Sequence, residues 1–155
     1  MTSSDSKVTF PHTPELPTIL VVENDPILRT LLKSILEPAG YFCQEARDGM
    51  EALALVQQHP ATDLILSDFQ MPRMDGLRLL QTLQDNPKTR GIPFILLTEN
   101  SSFSLRRQAL RDGALAVFYK PYTPPELLHI LNRSISHLAK SSVLSVNSVM
   151  EKTLS

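Results

Sequence analysis

Leu64-Ile65-Leu66-Ser67-Asp68-Phe69-Gln70-Met71-Pro72-Arg73-Met74-Asp75-Gly76 is the stretch on which the fold turns. An apolar run of the kind buried in a parallel sheet ends in a carboxylate, and a Met-Pro turn follows. Asp75-Gly76 then opens a new amphipathic segment. Open α/β sheets bind ligands outside the carboxyl ends of their strands, so Asp68 falls where a sheet presents side chains to a ligand. A carboxylate there caps a helix, binds a cation or attacks phosphorus. The flanking sequence favours the third.

Working outward, Asp63 to Ser67 reads as a third strand, with two strand–helix units before it and two after. Thr18 to Val22 is a compact β-rich run. Asp25-Pro26 supplies an N-cap and an N1 proline. Ile27, Leu28, Leu31, Leu32, Ile35 and Leu36 then recur at helical spacing up to Pro38. Tyr41 to Glu45 is a second strand, and Asp48-Gly49 starts a helix through Ala52, Leu53 and Val56 that stops near His59-Pro60. After strand three, a helix is expected from about Gly76 to Leu83. Pro93 to Leu97 is the fourth strand. Helix four runs from about Ser101 to Arg111, with Gly113 at its C-terminal cap. Ala114 to Tyr119 is the fifth strand, and Pro124-Pro125-Glu126 opens a last helix through Leu127, Leu131, Ile135 and Leu138.

Short apolar strands alternating with amphipathic helices mean βαβ units and a parallel sheet covered on both faces. The expected fold is α/β: a doubly wound, flavodoxin-like (βα)5 domain with strand order 2-1-3-4-5. It occupies residues 18–139. Residues 1–17, polar and carrying Pro11, Pro14 and Pro17, read as a flexible N-terminal extension. Residues 140–155 read as a Ser-rich tail.

The 155 residues suit one domain, and 42% hydrophobic content gives it an ordinary core. A net charge of −1 argues against a nucleic-acid or acidic-membrane partner. No apolar run approaches the roughly 20 residues of a bilayer span. The N-terminus has no charged-then-apolar signal pattern, so a soluble, cytoplasmic protein is expected. Cys43, the single cysteine, excludes an internal disulfide and a cysteine-built zinc site and reads as a small buried apolar group. No Gly-rich phosphate loop points to a nucleotide or flavin.

The polar residues at the strand ends carry the chemistry. Glu23 and Asn24 follow strand one, Asp68 strand three, Thr98 strand four and Lys120 strand five. In this fold they converge in one cleft. Oxygen-bearing side chains, a hydroxyl and an ammonium make a magnesium-plus-phosphoryl site, since magnesium prefers hard oxygen ligands and phosphoryl transfer needs positioning and charge neutralisation. Asp68 is then the nucleophile, with Lys120 offsetting charge.

With these motifs in order and spacing, the chain resembles a receiver domain of a two-component response regulator from about Thr18 to Ala139. Ile19 to Pro26 falls on the family's acidic-pocket motif. Asp68, Met71-Pro72 and Met74-Asp75-Gly76 fall on its phosphoacceptor motif. Asp48-Gly49-Met50-Glu51-Ala52-Leu53, Leu97-Thr98 and Tyr119-Lys120-Pro121 match as well. The resemblance implies that Asp68 accepts a phosphoryl group from a histidine kinase or histidine phosphotransfer protein. It further implies that Thr98 and Lys120 contact that group, and that Mg²⁺ is held at the positions of Glu23, Asn24, Asp68 and Gln70. A cis Lys120-Pro121 peptide is implied too. The leading reading is a single-domain phosphorelay switch with no output domain and no enzyme activity beyond its own phosphotransfer and dephosphorylation. It acts on an unknown downstream protein through helix four, strand five and helix five, with homodimer formation open. The alternatives are a pseudo-receiver scaffold that is never phosphorylated and a phosphomonoester hydrolase. The hydrolase usually wants a second acid where this chain has Gln70.

Three positions depart from the family pattern. Asn24 replaces an acid, which implies weaker Mg²⁺ binding. Glu99 stands where a small residue usually leaves a path to the site, and it either obstructs an anionic donor or points into solvent. Val117 occupies the place of a switching aromatic, with Phe118 beside it, which shifts the expected switching to movement of helix four. Gln70 and Asn100 are neutral at positions that tune hydrolysis. Asp25, Asp48 and Asp75 read as helix caps, and His12, His59, His129 and His137 as solvated surface. Arg106, Arg107 and Arg111 make helix four basic on one side, either a solvated face or a partner contact.

Overall fold

The computed structural model describes residues 16–59 and 61–136. In chain order these form β1 (Thr18–Val22), α1 (Pro26–Leu36), β2 (Phe42–Ala46), α2 (Gly49–Gln58), β3 (Leu64–Asp68), α3 (Gly76–Asp85), β4 (Phe94–Thr98), α4 (Phe103–Arg111) and β5 (Ala116–Tyr119). A final helix, α5, covers residues 124–136. All strand pairs are parallel, in the order β2-β1-β3-β4-β5 that the alternation implied. The expectations for residues 1–15, Pro60 and the chain after Ser136, with His12, His137 and Leu138 among them, lie outside the described residues.

Strand side chains alternate between two cores, as the two-residue period of a pleated strand requires. Leu20, Val22, Ile65, Phe94 and Leu96 pack with Ala52 and Val56 of α2, Leu79, Leu80 and Leu83 of α3 and Ala109 of α4. Ile19, Val21, Leu64, Leu66, Ile95 and Leu97 pack with Leu32 and Leu36 of α1 and Leu127 and Leu131 of α5. Cys43 lies in the second core, where burial pushes its thiol up to about 11. Asp25, Asp48 and Asp75 cap α1, α2 and α3 through their carboxylates, as read from the sequence. Among the described residues no helix is long and apolar enough to cross a membrane.

Several boundaries and one face differ from expectation, and β2, β3 and β4 each lie one residue later than read, so that Asp68 and Thr98 end their strands instead of following them. β5 begins at Ala116 because the Ala114 amide closes α4 on the Ala109 carbonyl at 2.9 Å, after Gly113 turns at φ +109. α4 begins at Phe103, since Ser102 serves as its N-cap and its own amide is held by Asn100 Oδ1 at 2.9 Å. α3 continues to Asp85, where Asn86 caps it. On α1 the apolar stripe is wider than its buried face. Leu32 and Leu36 are buried, while Ile27 is 77% and Leu31 52% exposed.

Candidate functional site

Asp68 is the last residue of β3, still in register with Leu97 of β4. Its Oδ1 accepts from the Lys120 ammonium at 3.0 Å and from the Phe69 amide at 3.0 Å. Both donors fall on Oδ1, which tethers that oxygen, while the Glu23 carboxyl is the side-chain neighbour on the acidic side of Asp68. Lys120 follows β5 and is held by its own amide on the Thr98 carbonyl at 2.8 Å. The Lys120-Pro121 peptide is cis. Thr98 is the buried last residue of β4, and its hydroxyl oxygen accepts from the Asn100 amide at 2.9 Å.

A cavity of about 130 Å³ is lined by Glu23, Leu28, Asp68, Gln70, Thr98, Glu99 and Lys120. The fold therefore brings together five of the six residues singled out for the site: Glu23, Asp68, Gln70, Thr98 and Lys120. Asn24 is exposed and is not among the residues lining that cavity.

Glu23 is 3% exposed, and its Oε2 has no hydrogen-bond partner. Burial first, and the neighbouring Asp68 carboxylate second, push its carboxyl up to about 7, against the opposing pull of Lys120. Two carboxylates facing one ammonium leave the site short of positive charge. Among the described residues no three carboxylate, imidazole or thiol groups could hold a metal ion. Two carboxylates supplemented by neutral oxygens and water are how Mg²⁺ is usually bound, so the donor set fits that ion.

The loop after β3 is anchored on both sides. The Gly76 amide bonds the Phe69 carbonyl at 2.8 Å, and a Cβ at Gly76 would lie 2.3 Å from the Asp68 carbonyl oxygen. Only glycine lets α3 start so close to Asp68. Arg73, at φ +68, pairs with Asp48, whose carboxyl is lowered chiefly by the Glu51 amide and further by this guanidinium. Asp48 is thus a cap that also ties the Asp68 loop to α2.

Several contributors were missed in the sequence. Tyr122 lines an adjoining groove of about 250 Å³ with Leu28, Leu31, Leu32 and Ile35 of α1. Burial, then the charges of Glu23 and Asp68, push its phenol up to about 12. Arg29 donates to the Glu23 carbonyl at 2.8 Å and pairs with Glu45 at 3.5 Å, fixing the turn that carries Glu23. Val117 is buried against α4, whereas Phe118 faces the α1–α5 side and meets the Tyr122 ring at 5.4 Å between centroids. His59 and His129 are exposed, as expected.

Residues 19–132 match the response regulator receiver domain family model. The chain belongs to that family. Its fold and motifs are those of the receiver domains of two-component systems. It is 36% identical over 114 residues to the "DNA-binding dual master transcriptional regulator RpaA" of Synechocystis sp. strain PCC 6803, covering 73% of this chain and 46% of that protein. It thus spans about half the length of that relative. A "probable chemotaxis protein CheY" of Rhizobium etli is 35% identical over 106 residues, 68% of this chain and 81% of the relative. Among solved structures, the receiver domain of sensor histidine kinase PA1611 from Pseudomonas aeruginosa PAO1 superposes with a TM-score of 0.70 at 30% identity. That likeness covers 77% of this chain and 98% of the other, which holds a magnesium ion coordinated in its active site cleft.

Proposed function

We propose that this chain is a phosphorylation-controlled switch in which Asp68 accepts a phosphoryl group from the phosphohistidine of a histidine kinase or phosphotransfer protein. The observation that carries the reading is the Lys120 ammonium 3.0 Å from Asp68 Oδ1 in a cavity that also holds Glu23 and Thr98. Oδ2 forms the new O–P bond as the P–N bond to the donor imidazole breaks. Lys120 offsets charge on the transferred oxygens, and the Thr98 hydroxyl has its proton to donate to one of them. Magnesium, when bound, neutralises further charge on the transferred group. Glu23, Asp68 and the Gln70 backbone carbonyl would hold it, with Asn24 offering only a neutral amide oxygen. The orphaned Glu23 Oε2 and the metal in the PA1611 receiver both support this assignment.

The switching unit is assigned to residues 18–139 and to the cytoplasm. Its role is binding, not turnover of a substrate. The output surface is assigned to α4, β5 and α5, where Phe103, Arg106, Arg107 and Arg111 are exposed. Asn24, exposed and not among the cavity's lining residues, favours a second reading: a scaffold that binds partners without phosphorylation. Incubation with acetyl phosphate and Mg²⁺ separates the two. The switch gains one phosphoryl mass, and Asp68→Asn abolishes the gain. An unlabelled wild-type protein would establish the scaffold instead.

A further inference from the structure

The cavity at Asp68 and the groove along α1 share four lining residues: Glu23, Leu28, Glu99 and Lys120. Glu23 is buried, Lys120 is paired with Asp68 and Leu28 is apolar. Glu99 is exposed, and no cation among the described residues lies within ion-pair distance of it. Its backbone is fixed on both sides. The Thr98 carbonyl accepts from the Lys120 amide, and the Thr98 hydroxyl accepts from the Asn100 amide. An uncompensated negative charge is therefore held in the lining of both depressions, in the same cavity as Asp68.

We propose that Glu99 is a charge gate that selects against small anionic phosphodonors. The inference rests on the reading of Asp68 as phosphoacceptor. In the reaction with acetyl phosphate, the Asp68 carboxylate forms an O–P bond while the P–O bond to acetate breaks. Acetate leaves with the electron pair, and no proton is exchanged. The donor enters as a dianion, and the cavity that holds Lys120 also holds Glu99. A unit charge facing a dianion across a few ångströms of near-aqueous dielectric slows capture roughly tenfold, and salt weakens the effect. A donor presented on a protein surface offsets that repulsion by the contacts the surface makes.

The test compares second-order rate constants for Asp68 phosphorylation, followed by intact mass in Mg²⁺, using two donors of different charge. Acetyl phosphate is a dianion at neutral pH. Phosphoramidate carries a net single negative charge and releases ammonia. Glu99→Gln keeps the bulk and removes the charge, and Glu99→Ala removes both. A charge gate predicts that Gln speeds acetyl phosphate roughly tenfold at low salt and phosphoramidate roughly threefold. The gain should shrink at high salt, and Ala should add little more. If Gln leaves the acetyl phosphate rate unchanged while Ala speeds both donors alike, bulk is the obstacle and the gate is overturned. If Gln speeds both donors equally at every salt concentration, the gate is overturned too. Should neither the wild type nor any variant be labelled, the phosphoacceptor reading falls and takes the gate with it.

Discussion

Replacing Glu23 by Gln should make this protein more stable at neutral pH and leave it nearly unchanged in mild acid. The native carboxyl is displaced from 4.5 to about 7, first by burial and then by the Asp68 carboxylate. In the unfolded chain the group releases its proton near the ordinary glutamate value. Between the two the native state therefore binds more protons than the unfolded state, and stability falls as pH rises through this window. A displacement of this size corresponds to about 3 kcal/mol of stability lost by pH 7–8. Well below pH 4.5 both states are protonated, and the amide mimics the protonated acid. The expected stability gap between Glu23→Gln and wild type is small near pH 5 and opens to about 2–3 kcal/mol at pH 8. Urea unfolding of both proteins from pH 5 to 8, with a chelator present, reads it directly. Excess Mg²⁺ at pH 8 should then raise the wild-type midpoint and leave that of Glu23→Gln almost unmoved. A gap that stays constant across this range, or that favours the wild type at pH 8, would refute the reasoning.

Other perturbations test the frame around the site. Gly76→Ala places a methyl 2.3 Å from the Asp68 carbonyl oxygen and 2.7 Å from Leu96 Cδ1, so chemical denaturation should show a loss of about 1–3 kcal/mol. Asp48→Ala removes both the α2 cap and the partner of Arg73, and thermal or urea unfolding should register about 1–2 kcal/mol. Lys120→Met keeps much of the side chain's length but removes the ammonium on Asp68, and labelling by acetyl phosphate should slow on the order of 100-fold. A rate within a few-fold of wild type would remove Lys120 from the chemistry.

Much of the fold was legible because each signal is local. Short continuous apolar runs in Thr18–Val22 and Phe94–Thr98, and capping carboxylates at Asp25, Asp48 and Asp75, locate elements without knowledge of their neighbours. The boundaries that moved depend on contacts between elements or on turn chemistry, such as the Ala114 amide closing α4 and thereby delaying β5. The excess apolar stripe of α1 could not be sorted into buried and exposed halves, because periodicity does not reveal how much of a face the sheet can cover. At the site, Asp68, Thr98 and Lys120 could be placed from strand ends alone. Adjacent loop residues could not be ordered that way: Glu23 is buried and Asn24 is exposed, though both follow β1. The Arg73–Asp48 pair and the position of Tyr122 arise from loops meeting in space, for which the linear sequence carries no spacing rule.

The most direct measurement of the central claim is chemical trapping of the phosphorylated residue. Protein treated with acetyl phosphate and Mg²⁺ is reduced with borohydride, which converts an aspartyl phosphate to homoserine, and the peptides are sequenced by mass spectrometry. Homoserine in the peptide carrying Asp68, absent after omission of the donor, is the predicted result. Trapping at any other carboxylate, or none in the folded protein, would contradict it.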